Sequence, residues 1–199
     1  MENAVIVFEK EPLPGKVKTR LAKDIGEKEA AKVYKQLIVL THNALNDVQA
    51  DIFVFLDGDG MLKVRRDSRY HHTTQWGNNL GERMVHAFRE VFKKGYKKAL
   101  IIGTDCPEIS KEILEDAFFQ LDNHDITIGP ALDGGYYLIG MNKLYASIFQ
   151  SIPWSTEKVY DRTLEEIQGI GLSFSVLPTL RDIDDWEDLM AFKNKFNFG

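Results

Sequence analysis

The loop EKEPLPGKVKTRLA crowds four cations, Lys10, Lys16, Lys18 and Arg20, around Pro12, Pro14 and Gly15. Proline stiffens such a loop, and glycine lets backbone N–H groups come close to a ligand. Lysine supplies point charge, and arginine can hold a phosphate through two parallel hydrogen bonds. The Walker spacing of glycines before Lys-Ser/Thr is missing, so this is not a P-loop. The residue types point to a phosphate or nucleotide site, against the alternative of a solvated basic loop.

Acids gather at three other places. Asp105 closes the stretch ALIIGTD, where a hard carboxylate oxygen suits Mg²⁺ or Mn²⁺ and where an aspartate can equally cap the next turn. Asp133 lies with Gly134 and Gly135 between two apolar runs, as a hairpin turn or as a polar step for a sugar. In RDIDDWEDL, the spacing of Asp182 and Asp184 could turn two carboxylates the same way, while one acid of the group serves as helix N-cap. Cys106 is the only cysteine. A nucleophilic role needs a base and an electropositive setting. None of the five histidines, His42, His71, His72, His86 and His124, stands in a Cys–His signature, so Cys106 reads as packing.

Short Val/Ile/Phe runs alternate with helical patterns, and these must position the polar residues. Strands are expected at Ala4–Phe8, Ile52–Asp57 (closed by the turn Gly58-Asp59-Gly60), His72–Gln75, Ala99–Gly103, 125–131, Tyr136–Met141 and 172–178. Apolar residues at helical spacing predict helices over 30–48 and 80–92, the latter followed by a capping Gly95. Others are expected behind an N-cap at Ser110, from about Thr156 to Gln168, and from about Asp185. The alternation predicts an α/β fold, one Rossmann-like domain over 1–199, with a mainly parallel twisted sheet and helices on both faces. Ligands of such sheets bind beyond the carboxyl ends of the strands.

Composition narrows the function. A chain of 199 residues with 44% hydrophobic content can bury one sizeable core. A net charge of −5 argues against broad attraction to nucleic acid or anionic lipid. No apolar run approaches the ~20 residues of a membrane span. One cysteine and no signal-peptide pattern at the N-terminus lead to the expectation of a cytoplasmic protein.

Six stretches occur in an order that resembles a bacterial family: KEPLPGKVKTRL, LGERM, GTDCP, GPALDGGYYLIG, IPWST and DIDDWEDL. It is the radical-SAM/selenodomain-associated transferase 1 family of glycosyltransferases, in the nucleotide-diphospho-sugar transferase superfamily with the glycosyltransferase-A fold. The resemblance runs from Phe8 to about Leu189. It implies a nucleotide near Lys10, Pro12, Pro14, Gly15, Lys18, Thr19 and Arg20, with Gly81, Glu82 and Arg83 beside a base or phosphate. Asp105 matches the superfamily's metal-binding aspartate, although the full Asp-x-Asp signature is missing. Asp133, Gly134 and Gly135 match the sugar or acceptor region, and Asp182 and Asp184 the late acidic pair that helps hold the metal. Two departures stand out. Glu9 replaces a small residue and puts an extra acid beside the basic loop, and Asp185-Trp186 replaces Thr-Pro.

The resemblance implies a glycosyltransferase with a nucleotide-diphospho-sugar donor, an unknown small-molecule acceptor and Mg²⁺ or Mn²⁺. Asp105 with Asp182 or Asp184 would hold the ion, Lys18 and Arg20 the phosphates, and Asp133 the sugar or acceptor. A nucleotidyltransferase of the same fold, moving a nucleoside monophosphate from NTP to a phosphorylated small molecule, fits the same residues. A non-catalytic nucleotide-binding module is the third expectation.

Overall fold

A computed structural model describes residues 2–58 and 68–196. Asp59 and Gly60 of the turn expected after Asp57 lie outside the described residues.

Seven strands form one twisted sheet: β1 (Asn3–Lys10), β2 (Asp51–Asp57), β3 (Tyr70–Thr74), β4 (Lys98–Ile102), β5 (Ile126–Pro130), β6 (Tyr136–Met141) and β7 (Phe174–Val176). Their spatial order is β3-β2-β1-β4-β6-β5-β7. Pairings β1–β2, β1–β4, β2–β3 and β5–β7 are parallel, while β6 runs antiparallel to both β4 and β5. The mainly parallel α/β sheet expected from the alternation is therefore present. Its antiparallel step is the short β5–β6 connection through Asp133-Gly134-Gly135.

The strands read as continuous apolar runs because both faces are covered. Along β1, Val5 and Val7 face the cluster that contains Leu114, Ala117 and Phe118 of α4 (Lys111–Gln120). Ala4 and Ile6 face the other way, against Met84, Ala87, Phe88 and Val91 of α3 (Leu80–Lys93) and Ile167 of α5 (Val159–Gly169). The expected caps hold: Ser110 accepts from the Ile113 amide, and Gly95 follows the last turn of α3 at φ +93°. The helix expected from Thr156 starts later, at Val159. Thr156 instead closes a turn through its hydroxyl, which donates to the Pro153 carbonyl. Asp185 is the N-cap of α6 (Trp186–Ala191), in a reciprocal capping box with Asp188. Asp185-Trp186 thus occupies N-cap and first-turn positions, for which Thr-Pro is equally suited.

A third apolar cluster positions the site. Val17 and Leu21 from the basic loop, and Ile183 and Leu189 from the C-terminal segment, pack on Ala30, Tyr34 and Leu37 of α2 (Glu27–Ala44). A short helix α1 (Ala22–Ile25) leads into α2. Burying side chains of this size is worth about 2 kcal/mol each, comparable with the cost of ordering one or two loop residues. These anchors hold an otherwise irregular loop in one shape.

Candidate active site

The basic loop, the end of β4 and the late acidic segment meet beyond the carboxyl ends of β1 and β4. Backbone hydrogen bonds join them: the Ile183 amide donates to the Asp105 carbonyl at 3.0 Å, and the Leu21 amide to the Asp184 carbonyl at 3.2 Å. The anchored residues Val17, Leu21 and Ile183 alternate with Lys18, Asp182 and Asp184, which leaves the polar side chains on the cleft.

The cleft has a volume of about 580 Å³. Its lining includes the charged and polar Lys10, Lys16, Lys18, Thr19, Arg20, Asp105, Asp182 and Asp184. It also includes the apolar or aromatic Phe8, Leu80, Met84 and Tyr136. A lining that mixes charge with apolar surface suits a ligand with an anionic part and a less polar part.

Lys18 links two of the cleft's acids. Its side chain is only 4% exposed, and its ammonium is ion-paired with Asp105 and, at 3.2 Å, with Asp184. Burial works against the ammonium, but the charges of Asp105 and then Asp184 outweigh it and hold its pKa above the ordinary lysine value. Lys18 also has φ +48°, a left-handed backbone that costs a non-glycine residue about 1 kcal/mol. Arg20, by contrast, is largely exposed and reaches Asp184 only at 3.8 Å.

Asp182 is the most perturbed acid. Burial, followed by the charges of Asp105 and Asp133, pushes its pKa up to about 8. Its Oδ1 is buried without a hydrogen-bond partner, an arrangement that leaves an acceptor oxygen for a cation or a proton.

These observations bear on a divalent ion. Among the described residues, no group of three or more His, Cys, Asp or Glu side chains is assembled to hold a metal. Mg²⁺, however, is commonly bound by one or two carboxylates together with substrate phosphates. Asp105, Asp182 and Asp184 are hard oxygen donors on one cleft, and the orphaned Oδ1 of Asp182 is an acceptor that no group among the described residues satisfies. The donor set fits an ion completed by a nucleotide's phosphates.

Several predicted site residues lie elsewhere. Glu82 is engaged at the N-terminus of α3, where it accepts from the Asn78 backbone and side-chain amides at 2.9 and 3.0 Å. Arg83 pairs with Asp57 at 3.1 Å and donates to Gln75 at 3.3 Å. Neither lines the cleft; Leu80 and Met84 of the same motif do. Pro14 and Gly15 shape the loop without lining it, and Gly15 turns the chain at φ +76°. At Gly134 a Cβ would lie 2.1 Å from the Glu157 carbonyl oxygen, so the chain itself fills the side-chain space there, and Gly134 does not line the cleft. Asp133 is exposed and accepts the Gly135 amide at 2.8 Å in an Asx turn; it does not line the cleft, although its charge is felt by Asp182.

Glu9 does not stand beside the loop's anions at all. It is fully buried on β1, with Oε2 3.0 Å from His42 Nε2 on α2. Cys106 is 4% exposed, and burial followed by the Asp182 charge pushes its thiol up to about 12. A thiol that stays protonated is no nucleophile, in agreement with a packing role.

Tyr34 is a cleft residue that sequence reasoning missed, because its place on the apolar face of α2 looks like core. Its hydroxyl accepts the Lys10 amide at 2.9 Å and lies 2.8 Å from Thr104 Oγ1, so it ties the ends of β1 and β4 together. Ser155 of IPWST also reaches the cleft, with φ +65°.

With this geometry in place, comparison with known proteins is informative. No curated protein matches the sequence. A provisionally assigned nucleotide-diphospho-sugar transferase from Desulfovibrio desulfuricans G20 shares 33% identity and superposes with a TM-score of 0.90, over 98% of this chain and 88% of that one. The 4-diphosphocytidyl-2C-methyl-D-erythritol synthase of Anaerococcus prevotii DSM 20548 has the same fold, at 10% identity and a TM-score of 0.64 over 96% of each chain. Rv0371C of Mycobacterium tuberculosis H37Rv, solved in complex with manganese, does too, at 10% identity and a TM-score of 0.53 over 98% and 100% of the two chains. The chain thus shares the fold of these nucleotide-diphospho-sugar transferase and cytidylyltransferase structures. Residues 40–156 match a family described as an uncharacterized protein conserved in bacteria, and the chain belongs to that family, DUF2064.

Proposed function

We propose that the protein is a metal-dependent transferase that takes a nucleotide-diphospho-sugar as donor and passes the sugar to a small-molecule acceptor. The observation that carries this reading is the buried Lys18 between Asp105 and Asp184, on a cleft that also presents Lys16 and Arg20. Cations and hard carboxylates side by side suit a diphosphate with its counter-ion, and neither a purely cationic nor a purely acidic pocket would. The 33%-identical relative supports the same donor class.

In this reading Lys16, Lys18 and Arg20 hold the diphosphate, and the apolar lining residues receive a less polar part of the donor. Asp105, with Asp182 or Asp184, would hold Mg²⁺ or Mn²⁺, whose charge stabilises the departing nucleoside diphosphate. The acceptor hydroxyl attacks the anomeric carbon, and the bond from that carbon to the phosphate oxygen breaks. Its electron pair leaves with the diphosphate. Asp133, exposed and near enough for its charge to act on Asp182, orients the acceptor and receives the hydroxyl proton. The narrower placement in the radical-SAM/selenodomain-associated transferase 1 group belongs to the same proposal and rests on the six ordered motifs. So does a cytoplasmic location, for which the single cysteine speaks; no described helix is long and apolar enough to cross a membrane.

Nucleotidyl transfer from NTP is the second reading, favoured by the fold shared with the Anaerococcus enzyme. Thermal-shift binding of UDP-, GDP-, CDP- and ADP-sugars and of NTPs, with and without Mn²⁺, tests both. Stabilisation by a nucleotide sugar and release of nucleoside diphosphate is the expected result. Pyrophosphate release from NTP would move the assignment to the second reading. Binding without turnover would leave a nucleotide-binding module, and no stabilisation by any nucleotide would overturn the proposal.

A further inference from the structure

We propose that Lys18 is a displaceable internal cation. In the free protein its ammonium holds Asp105 and Asp184, and a divalent cation entering with the nucleotide takes those oxygens and releases the ammonium to the phosphates. The proposal takes its divalent ion and nucleotide from the transferase reading above; the exchange itself rests on the geometry of this chain.

Three observations carry it. First, the partners are unequally placed. The Lys18 side chain is 4% exposed, whereas Asp105 and Asp184 are 47% and 39% exposed on the cleft side. An ion arriving from solvent reaches the carboxylates before it meets the lysine beneath them. Second, Asp182 Oδ1 is buried on the same cleft and has no partner. One ammonium with three protons leaves this acceptor unused, whereas a divalent ion coordinates several oxygens at once. Third, the backbone at Lys18 is pinned between buried Val17 and Leu21, at a strained φ of +48°. Exchange must therefore proceed through the four-carbon side chain, which has the rotamers to swing while the loop stays in place.

Two further points favour the exchange. A divalent cation held on the same carboxylates repels the ammonium beside it and weakens its hold on them, so Lys18 is the cation that gives way. The released ammonium needs an anion, and a bound diphosphate supplies one. Metal and nucleotide then bind cooperatively, each improving the other's affinity by the same factor. Metal alone leaves the lysine without a partner and binds weakly.

The test is a Mn²⁺ titration of the full chain, read by loss of the free-ion electron paramagnetic resonance signal, with and without a nucleoside diphosphate. In the wild-type protein, nucleotide should tighten Mn²⁺ binding by about tenfold or more. In Lys18→Met, Mn²⁺ alone should bind about tenfold tighter than in wild type, with a smaller gain from nucleotide. Lys18→Met, Asp105→Asn should lose that gain. Mn²⁺ affinity in Lys18→Met that is equal to or weaker than wild type overturns the exchange. If Lys18→Met fails to fold, the wild-type protein decides. Acylation of the Lys18 amine, followed by mass spectrometry, should speed up several-fold at saturating Mn²⁺ without nucleotide, and an unchanged rate overturns the proposal. Nucleotide binding with no gain in Lys18→Met sinks the exchange and leaves the transferase reading intact. A gain without nucleotide binding does the reverse.

Discussion

Two buried acid–base contacts lie close together at the end of β1, and they differ in one respect. Glu9 and His42 meet at 3.0 Å with both side chains sealed, 0% and 2% exposed, and His42 Nδ1 continues to the Tyr70 hydroxyl at 3.3 Å. Lys18 is as well buried, but its partners Asp105 and Asp184 open onto the cleft. A contact closed on both sides can only stabilise or specify the fold. A contact closed on one side presents charge to whatever enters, at a place where the surrounding protein strengthens that charge. Burial of the partners separates the structural pair from the functional one better than distance does.

That contrast can be broken experimentally. The largest effect should come from Glu9→Ala, which leaves His42 with a lost partner and an unfilled space. We expect a loss of about 3–5 kcal/mol in urea unfolding, with turnover per folded molecule changed little. A large fall in turnover at unchanged stability would move Glu9 to the functional side.

Asp105→Asn should do the opposite. Its own carboxylate is half exposed, but it is the first partner of the buried Lys18 ammonium, so stability should fall by about 1–2 kcal/mol, less than in Glu9→Ala. Turnover should drop by about 100-fold, equivalent to about 2.7 kcal/mol of transition-state stabilisation. A variant with intact nucleotide binding and full turnover would remove Asp105 from the active site.

Asp182 gives a smaller effect that depends on pH. Its folded pKa is raised from 3.8 to about 8, so the folded state keeps a proton that the unfolded state gives up. Stability from this group is therefore present below about pH 4 and is lost as pH rises toward 8. Asp182→Asn cannot ionise and should be more stable than wild type by about 2 kcal/mol at pH 9, with the difference fading toward pH 4. Thermal melts without metal across that range check the sign. A difference that grows toward acid would contradict the burial of this carboxylate.

Much of the fold was legible because its signals are local. The runs AVIVF, IFVFLD and ALIIG had to be strands covered on both faces, and the period of the α2 and α3 residues had to be helical. The basic loop and Asp105 could be marked because charge directly after an apolar strand falls at the sheet's ligand edge. Glu82 and Arg83 lie off the cleft lining for a physical reason. They bond to Asn78, Asn79, Asp57 and Gln75 in building the turn before α3. The diglycine has a packing reason the sequence does not show, since the space a side chain would need at Gly134 is taken by the Glu157 backbone.

From the chain alone followed the alternating α/β architecture, the cationic loop after β1, the acids available to meet it and the reading of Cys106 as packing. These depend on periodicity and residue type, which act over a few residues. Only the tertiary structure decided which acids face which cations. Lys18 and Asp184 are 166 positions apart, and Glu9 and His42 belong to different elements. Ionic contacts obey distance and burial, and those quantities exist only once the sheet and α2 have closed over the loop.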